Sequence, residues 1–269
     1  LSTTKRIRMI EPPVITYYDV ADEVVAFSTT RHGGCGKGAY SGFSINAYCG
    51  DDEDCVRRNR EALSDALGID GSHIVMPHQT HGTETRVIGP EFLELGSRTR
   101  HMVLEGVDAL MTSVRGVCIG VSTADCIPVL LYDAYNHAVC AVHAGWRGTV
   151  MRIVQKAIVE MNAVYGTDAS RLKAVIGPGI SLDSFEVGEE VYDRFCAAGF
   201  DMQGISCRKG KWHIDLPGCN RMQMVESGVD DGNIYSCGIC TFKNADDYFS
   251  ARRLGTESGR IFNAIYLRQ

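Results

Sequence analysis

The chain has 269 residues, 45% hydrophobic and 22% charged, the balance of an ordinary globular protein long enough to bury a sizeable core. Its 27 Lys and Arg against 33 Asp and Glu leave a formal charge of −6, which argues against a nucleic-acid partner. No apolar run approaches the roughly 18 residues of a membrane span, and residues 1–6 are not followed by the apolar core of a signal peptide, so no membrane partner is expected.

In chain order, residues 24–29 read as a strand running into a Gly-rich loop at 32–38. Asp52 or Asp54 then caps a helix to about residue 67, with Val56, Leu63 and Leu67 on one face and Arg57, Arg58 and Glu61 on the other. Short strands follow at 74–76 and 85–88. Beyond a polar loop come four closely spaced apolar runs, 109–114, 117–121, 127–132 and 138–142. Val150, Ile153, Val154, Ala157, Ile158, Met161 and Val164 keep a 3.6-residue period, which predicts one continuous helix. Residues 172–176 read as a strand and Pro178-Gly179 as a turn. Helices are expected at 187–198 and 219–227, and late strands at 234–235 and 261–267. Consecutive strands on short turns argue against a βαβ alternation, and no repeat or linker divides the chain. The expectation is one α+β domain over residues 1–269, with mixed sheets flanked by helices.

The eleven cysteines are odd in number, and several, such as Cys118 and Cys140, lie inside apolar runs. Reduced thiols packed as small hydrophobes in a cytoplasmic protein are expected. The single C-x-x-C, Cys237-Gly238-Ile239-Cys240, has no second pair to complete a zinc ribbon.

Three segments carry groups capable of chemistry. His78-Gln79-Thr80-His81-Gly82 sets two histidines three apart after a short strand, either as ligands or as ordinary surface and core histidines. Ser122-Thr123-Ala124-Asp125-Cys126 is a polar kink between two apolar runs; Asp125 either serves a site or caps a turn. His143-Ala144-Gly145-Trp146-Arg147-Gly148-Thr149 joins a strand end to a helix start. Backbone N–H groups and Arg147 there suit an anion, or the turn is a capped helix with a Trp-Arg stack. His81, Cys126 and His143 together are three donors of the types zinc accepts, and a catalytic zinc leaves a fourth position open.

These three segments resemble the signatures of the laccase-domain family, whose members are called multicopper polyphenol oxidase and purine nucleoside phosphorylase. The similarity extends through Thr30-Arg31-His32-Gly33-Gly34, Ile45-Asn46, Ile176-Gly177-Pro178-Gly179, Phe185-Glu186-Val187-Gly188, Asp215-Leu216-Pro217 and Phe249-Ser250-Ala251-Arg252-Arg253, nearly the whole chain. Cys35 and Cys49 depart from it, falling where the family places other small or apolar residues. The resemblance implies a four-layer α/β/β/α fold and a zinc held by His81, Cys126 and His143. It also implies phosphorolysis of purine nucleosides, methylthioadenosine included, together with adenosine deamination.

On that reading purine nucleosides and phosphate are the partners of a monomer or homodimer. Cys126, His143 and Asp125 are the candidate catalytic groups, and Asp125, His78 and Asn46 are candidate contacts to the base or ribose. Arg147, Arg31 and Arg252 are candidate phosphate contacts. Two other readings compete. A copper polyphenol oxidase would suit a His/His/Cys set, and copper could enter a zinc site, but the chain has only eight histidines and no H-x-H pair. A cysteine hydrolase would use Cys126 as nucleophile and His143 as base on an amide or peptidoglycan-precursor substrate.

Overall fold

The computed structural model describes residues 10–269; the stretch 1–6, read above for a leader, lies outside them. The chain opens with β1 (Ile15–Tyr18) and β2 (Val24–Thr29), then α1 (Glu53–Leu67), β3 (Ile74–Val75), β4 (Thr85–Val87), α2 (Pro90–Glu94) and α3 (Ser97–Leu104). Next come β5 (Ala109–Thr112), β6 (Cys118–Thr123), β7 (Ile127–Asp133) and β8 (Ala138–Ala144). They are followed by α4 (Trp146–Val150), α5 (Ile153–Tyr165) and β9 (Lys173–Ile176). The remainder is β10 (Glu186–Val187), α6 (Glu189–Ala197), α7 (Met202–Ile205), β11 (Ser206–Lys209), β12 (Lys211–Ile214), α8 (Leu216–Glu226), β13 (Ile234–Ser236), α9 (Ala251–Leu254) and β14 (Ile261–Leu267).

A five-stranded sheet has the order β1-β2-β14-β6-β3 and a six-stranded sheet the order β13-β9-β7-β8-β5-β4; β10-β12-β11 form a small third sheet. Both larger sheets mix directions: β3 pairs parallel with β6, and β4 with β5, whereas β7 and β8 are antiparallel. Ile119, Val121 and Ile265 of the first sheet pack against Leu110, Leu130, Val139 and Val175 of the second. On the outer face of the second sheet lie α5 and α8, through Ile153, Ala157, Cys219 and Met224. On the outer face of the first lies α1, through Leu63. The result is the α+β, four-layer α/β/β/α arrangement. Covered on both faces, β7 and β8 are buried along their whole length, which is why they read as unbroken apolar runs rather than alternating ones.

Local chemistry explains the helix ends. Asp52 accepts a hydrogen bond from the Cys55 N–H at the start of α1, and Gly68 ends it at φ +64°, a left-handed conformation open to glycine. The single helix expected over 150–164 is instead two. Arg152 sits at φ +63° between α4 and α5. Its guanidinium reaches Glu226 and the Ala198 carbonyl and lies 3.7 Å from the Phe200 ring centroid. Those distant partners hold the break, which the apolar period passes over.

The all-thiol expectation is also corrected. Cys35 and Cys55 are joined as a disulfide with Cα atoms 5.7 Å apart, because the Gly-rich loop folds back onto the first turn of α1. Nine cysteines are free. Among the described residues no helix is long and apolar enough to cross a membrane.

Candidate metal centre and active-site cleft

The chain leaves one large sheet at the end of β6 and enters the other at the start of β7, and Ala124, Asp125 and Cys126 make the crossing. Asp125 adopts φ +88°, which costs a non-glycine residue about 1–3 kcal/mol and persists only where its surroundings enforce it. They do so here. One carboxylate oxygen accepts the Thr241 hydroxyl at 2.7 Å, the other accepts the Arg252 N–H at 2.7 Å, and the Asp125 carbonyl accepts the Ile180 N–H. Asp125 lines the cleft, yet both its oxygens are committed, so the geometry makes it a clamp on the crossing rather than a free base.

Cys126 thereby meets His143 from β8 and His81 from the loop after β3. Their donor atoms all lie within 4.8 Å of one another, and this is the one such His/Cys/Asp/Glu group among the described residues. Cys237 and Cys240 take no part; Cys240 accepts the Ser181 N–H and donates to the Ser184 hydroxyl. His143 is buried, Cys126 half-buried and His81 exposed, so the cluster is held from the protein side and open toward the cleft.

Asp108, at the foot of β5 and fully buried, organises the cluster. Its carboxylate accepts His143 Nδ1–H at 2.7 Å and the backbone N–H groups of Thr80, His81 and Gly82 at 3.2, 3.0 and 2.6 Å. It therefore leaves His143 Nε2 for the thiol and fixes the loop that carries His81, which sits at φ +62°. Gln79 clips that loop to β6: its side-chain carbonyl accepts the Ser122 N–H at 2.7 Å and its amide donates to the Ser122 carbonyl at 2.9 Å. Neither Asp108 nor Gln79 was singled out from sequence. Gln79 lay between the two histidines, but nothing local marked Asp108 inside an apolar run.

Burial pushes the Cys126 thiol up, but the charge of His143 and hydrogen bonds from both imidazoles outweigh it and leave the thiol at about 6. Burial pushes His143 down, but the Cys126 thiolate and the Asp108 carboxylate outweigh it and raise the imidazole to about 9. The two groups therefore form a thiolate–imidazolium pair between pH about 6 and about 9. The depressed cysteine contributes stability that is lost as pH falls through 6, and the raised histidine contributes stability that is lost as pH rises through 9. In protein stripped by a chelator, the ultraviolet thiolate band should persist at neutral pH and vanish in acid near 6. A band appearing only above pH 8 would contradict the pairing.

The donor set fits a resident metal. Two imidazoles and a thiolate are the ligand types of zinc, and a carboxylate on the far nitrogen of a ligating histidine is the usual support. Gly145 makes the room: a Cβ there would lie 3.0 Å from Cys126 Sγ and 2.9 Å from His81 Cδ2.

These groups form part of the lining of a cavity of about 550 Å³, within the range of small-molecule sites. Asn46, His78 and Arg252 line it too, with Phe185 and Ile180 as apolar wall. Asn46 donates to the Ser122 hydroxyl and accepts the Tyr48 N–H. Arg252 spends one N–H on the Glu186 carbonyl and forms no ion pair among the described residues. The other two arginines are elsewhere. Arg147 is exposed, lies outside the cleft and stacks on Trp146 at 4.3 Å; the stacked-turn alternative describes it. Arg31 donates to the Ala245 and Ser41 carbonyls and tacks the Gly-rich loop to the segment before Phe249, again outside the cleft.

The sequence profile of the family described as "Multi-copper polyphenol oxidoreductase laccase" matches residues 25–268. Along its full length the chain is 45% identical to a "Purine nucleoside phosphorylase" of Bacteroides thetaiotaomicron, all of which is covered. It is 44% identical over 96% of its length, and 99% of the relative's, to "Adenosine deaminase RL5" from an unknown prokaryotic organism. Among solved structures, YlmD of Geobacillus stearothermophilus aligns with a TM-score of 0.86 at 28% identity, covering 92% of this chain and 93% of that one. The hypothetical protein YfiH of Bacillus licheniformis also gives 0.86, at 26% identity, covering 94% and 99%.

Proposed function

Because the chain belongs to the multi-copper polyphenol oxidoreductase laccase family, we propose that it is a zinc-dependent purine nucleoside phosphorylase that also acts on methylthioadenosine and deaminates adenosine. The observation that carries this reading is the convergence of His81, Cys126 and His143 at a cleft of nucleoside size, in a chain whose full-length relatives carry those two names. The eight histidines and the lack of an H-x-H pair weigh against the several copper centres of a laccase. Small-molecule purine nucleosides and phosphate are the partners of a monomer or homodimer; nine free thiols favour a cytoplasmic setting, and the Cys35–Cys55 disulfide weighs against it.

Bound at the three donors, zinc supplies Lewis-acid polarisation of the atom it faces and acidifies water. The chain's own groups do the rest. Asp108 holds His143 and the His81 loop in place. Phe185 and Ile180 offer the apolar faces on which a purine packs, while Asn46 and His78 offer polar edges for base or ribose.

Phosphate needs a cation inside the cleft, and Arg252 fills that role better than Arg147 or Arg31, since it alone of the three lines the cavity. Arg252→Ala should raise the KM for phosphate about tenfold while leaving deamination, which consumes no phosphate, nearly unchanged. Arg147→Ala should leave both within about twofold. Steady-state kinetics at varied phosphate checks this; an Arg147 effect on phosphate larger than that of Arg252 would reverse the assignment. The test of the whole reading is purine release from a nucleoside panel with and without phosphate, on protein of measured metal content. One zinc per chain with phosphate-dependent release is expected, and zinc-bearing protein that acts on no nucleoside would refute it.

A second reading has a specific observation in its favour. Cys126, His143 and Asp108 are arranged as nucleophile, base and orienting carboxylate, the geometry of a cysteine hydrolase acting on amides or peptidoglycan precursors. His81 has no part in that triad, which makes it the discriminating residue.

A further inference from the structure

At the mouth of the cleft His78 is held from three sides by groups the mechanism above does not use. Its backbone is strapped to the segment after α3: the His78 N–H donates to the Leu104 carbonyl, and the Gly106 N–H donates to the His78 carbonyl. That ladder sets Glu105 directly opposite His78. Both Glu105 oxygens lie at hydrogen-bond distance from His78 Nδ1, 2.8 and 2.9 Å. The ring of Tyr48 stacks on the imidazole, centroids 4.2 Å apart and planes 18° off parallel, so the ring cannot swing. The remaining titratable neighbour is His101, whose Nε2 lies 3.9 Å from the second Glu105 oxygen.

A carboxylate only accepts, so His78 Nδ1 carries the proton, and in a neutral imidazole the other nitrogen is then an acceptor. Nε2 makes no hydrogen bond among the described residues, and His78 lines the cleft. Its neighbours on that wall are otherwise engaged. Asn46 and Gln79 are committed to Tyr48 and Ser122, and Asp125 to Thr241 and the Arg252 N–H. His78 Nε2 is thus an acceptor left over on that wall, and an acceptor in a cleft that admits nucleosides meets their hydroxyl groups.

We infer that Glu105 is a positioning residue that fixes the proton of His78 on Nδ1, so that Nε2 accepts a hydrogen bond from a hydroxyl of the nucleoside sugar. The sugar half of this inference rests on the purine nucleoside reading; the Glu105–His78 half does not. With the purine against His81 and Cys126, the sugar carries the hydroxyl donors nearest the loop that His78 shares with His81.

Two measurements on the metal-loaded protein test it. Long-range proton–nitrogen NMR, with His78 assigned by comparison with His78→Gln, should find Nδ1 protonated and Nε2 bare. Glu105→Ala should shift the proton toward Nε2, and Glu105→Gln, whose side-chain carbonyl can still accept, should restore it. Glu105 is half-exposed, so neither variant threatens the fold. In the second measurement adenosine is compared with its 2′-, 3′- and 5′-deoxy analogues by kcat/KM. One deletion should cost about tenfold in the wild type and in Glu105→Gln, and that cost should shrink toward onefold in Glu105→Ala. A purely structural Glu105 would instead weaken all four substrates alike, which would overturn the inference, as would a wild-type His78 protonated on Nε2. Protein with the Nδ1 tautomer but no affinity for any nucleoside would refute the functional reading and the sugar assignment, and would uphold the positioning role of Glu105.

Discussion

Asp108→Ala is expected to destabilise the fold by about 3 kcal/mol or more, because it strands four donors that converge on one buried carboxylate. The Asp108 carboxyl is itself held below its usual range. Burial raises it, but the His143 hydrogen bond and charge, with the Gly82 and Thr80 N–H groups, outweigh that. A depressed acid contributes its stability at neutral pH and loses it on acidification, so the gap in melting temperature between wild type and variant should narrow in acid. Asp108→Asn is the sharper probe. It keeps the shape, but its amide turns a donor toward a set of donors, so His143 loses its orientation. Zinc affinity, read by competition with a chelator, should fall about 10–100-fold. An Asn variant with wild-type affinity would show that Asp108 supports only the fold.

Cys126→Ala should abolish stoichiometric zinc and reduce purine release at least about a thousandfold, the scale set by several kcal/mol of lost charge stabilisation. The metal-free melting temperature should fall at neutral pH, where the Cys126–His143 pair contributes stability, and the gap to wild type should narrow as pH falls through about 6. His81→Ala separates the two functional readings. A zinc enzyme loses metal and activity together in that variant, whereas a Cys126–His143–Asp108 hydrolase keeps its triad and its turnover. Retained activity in metal-free His81→Ala would therefore favour the hydrolase.

Most elements were legible because their signals are local. The strands at β2, β5, β6, β7, β8, β9 and β14 are apolar runs bounded by turn residues, and α1 carries a cap, an apolar face and a terminating glycine within one stretch of chain. What went unread was short or polar. The β10-β12-β11 sheet has strands of two to four residues, and its outer positions are charged, so no alternation accumulates. Likewise α2 and α3 bury few side chains, Phe92 and Leu104 among them, which is too little for a period to stand out.

The cluster of His81, Cys126 and His143 was legible for a different reason. Imidazole and thiolate are rare enough that three of them beside strand ends and glycines mark a site before its geometry is known. Their supports are common residues, and a support is defined only by what it touches. Asp108 lies 35 residues from His143 in sequence and Glu105 lies 27 from His78, separations over which no periodicity carries information.

Composition and pattern by themselves determined the α+β class, the order of most elements and the chemistry of the donors, because each depends on residue type and near-neighbour spacing. Tertiary structure decided where side chains point and what holds them. It turned Arg147 and Arg31 away from the cleft and Arg252 into it, broke the long helix at Arg152, committed Asp125 to Thr241 and the Arg252 N–H, and joined Cys35 to Cys55. The physical reason is the same in each case: a turn can send a side chain either way at similar local cost, and the choice falls to partners that only the packed sheets bring near.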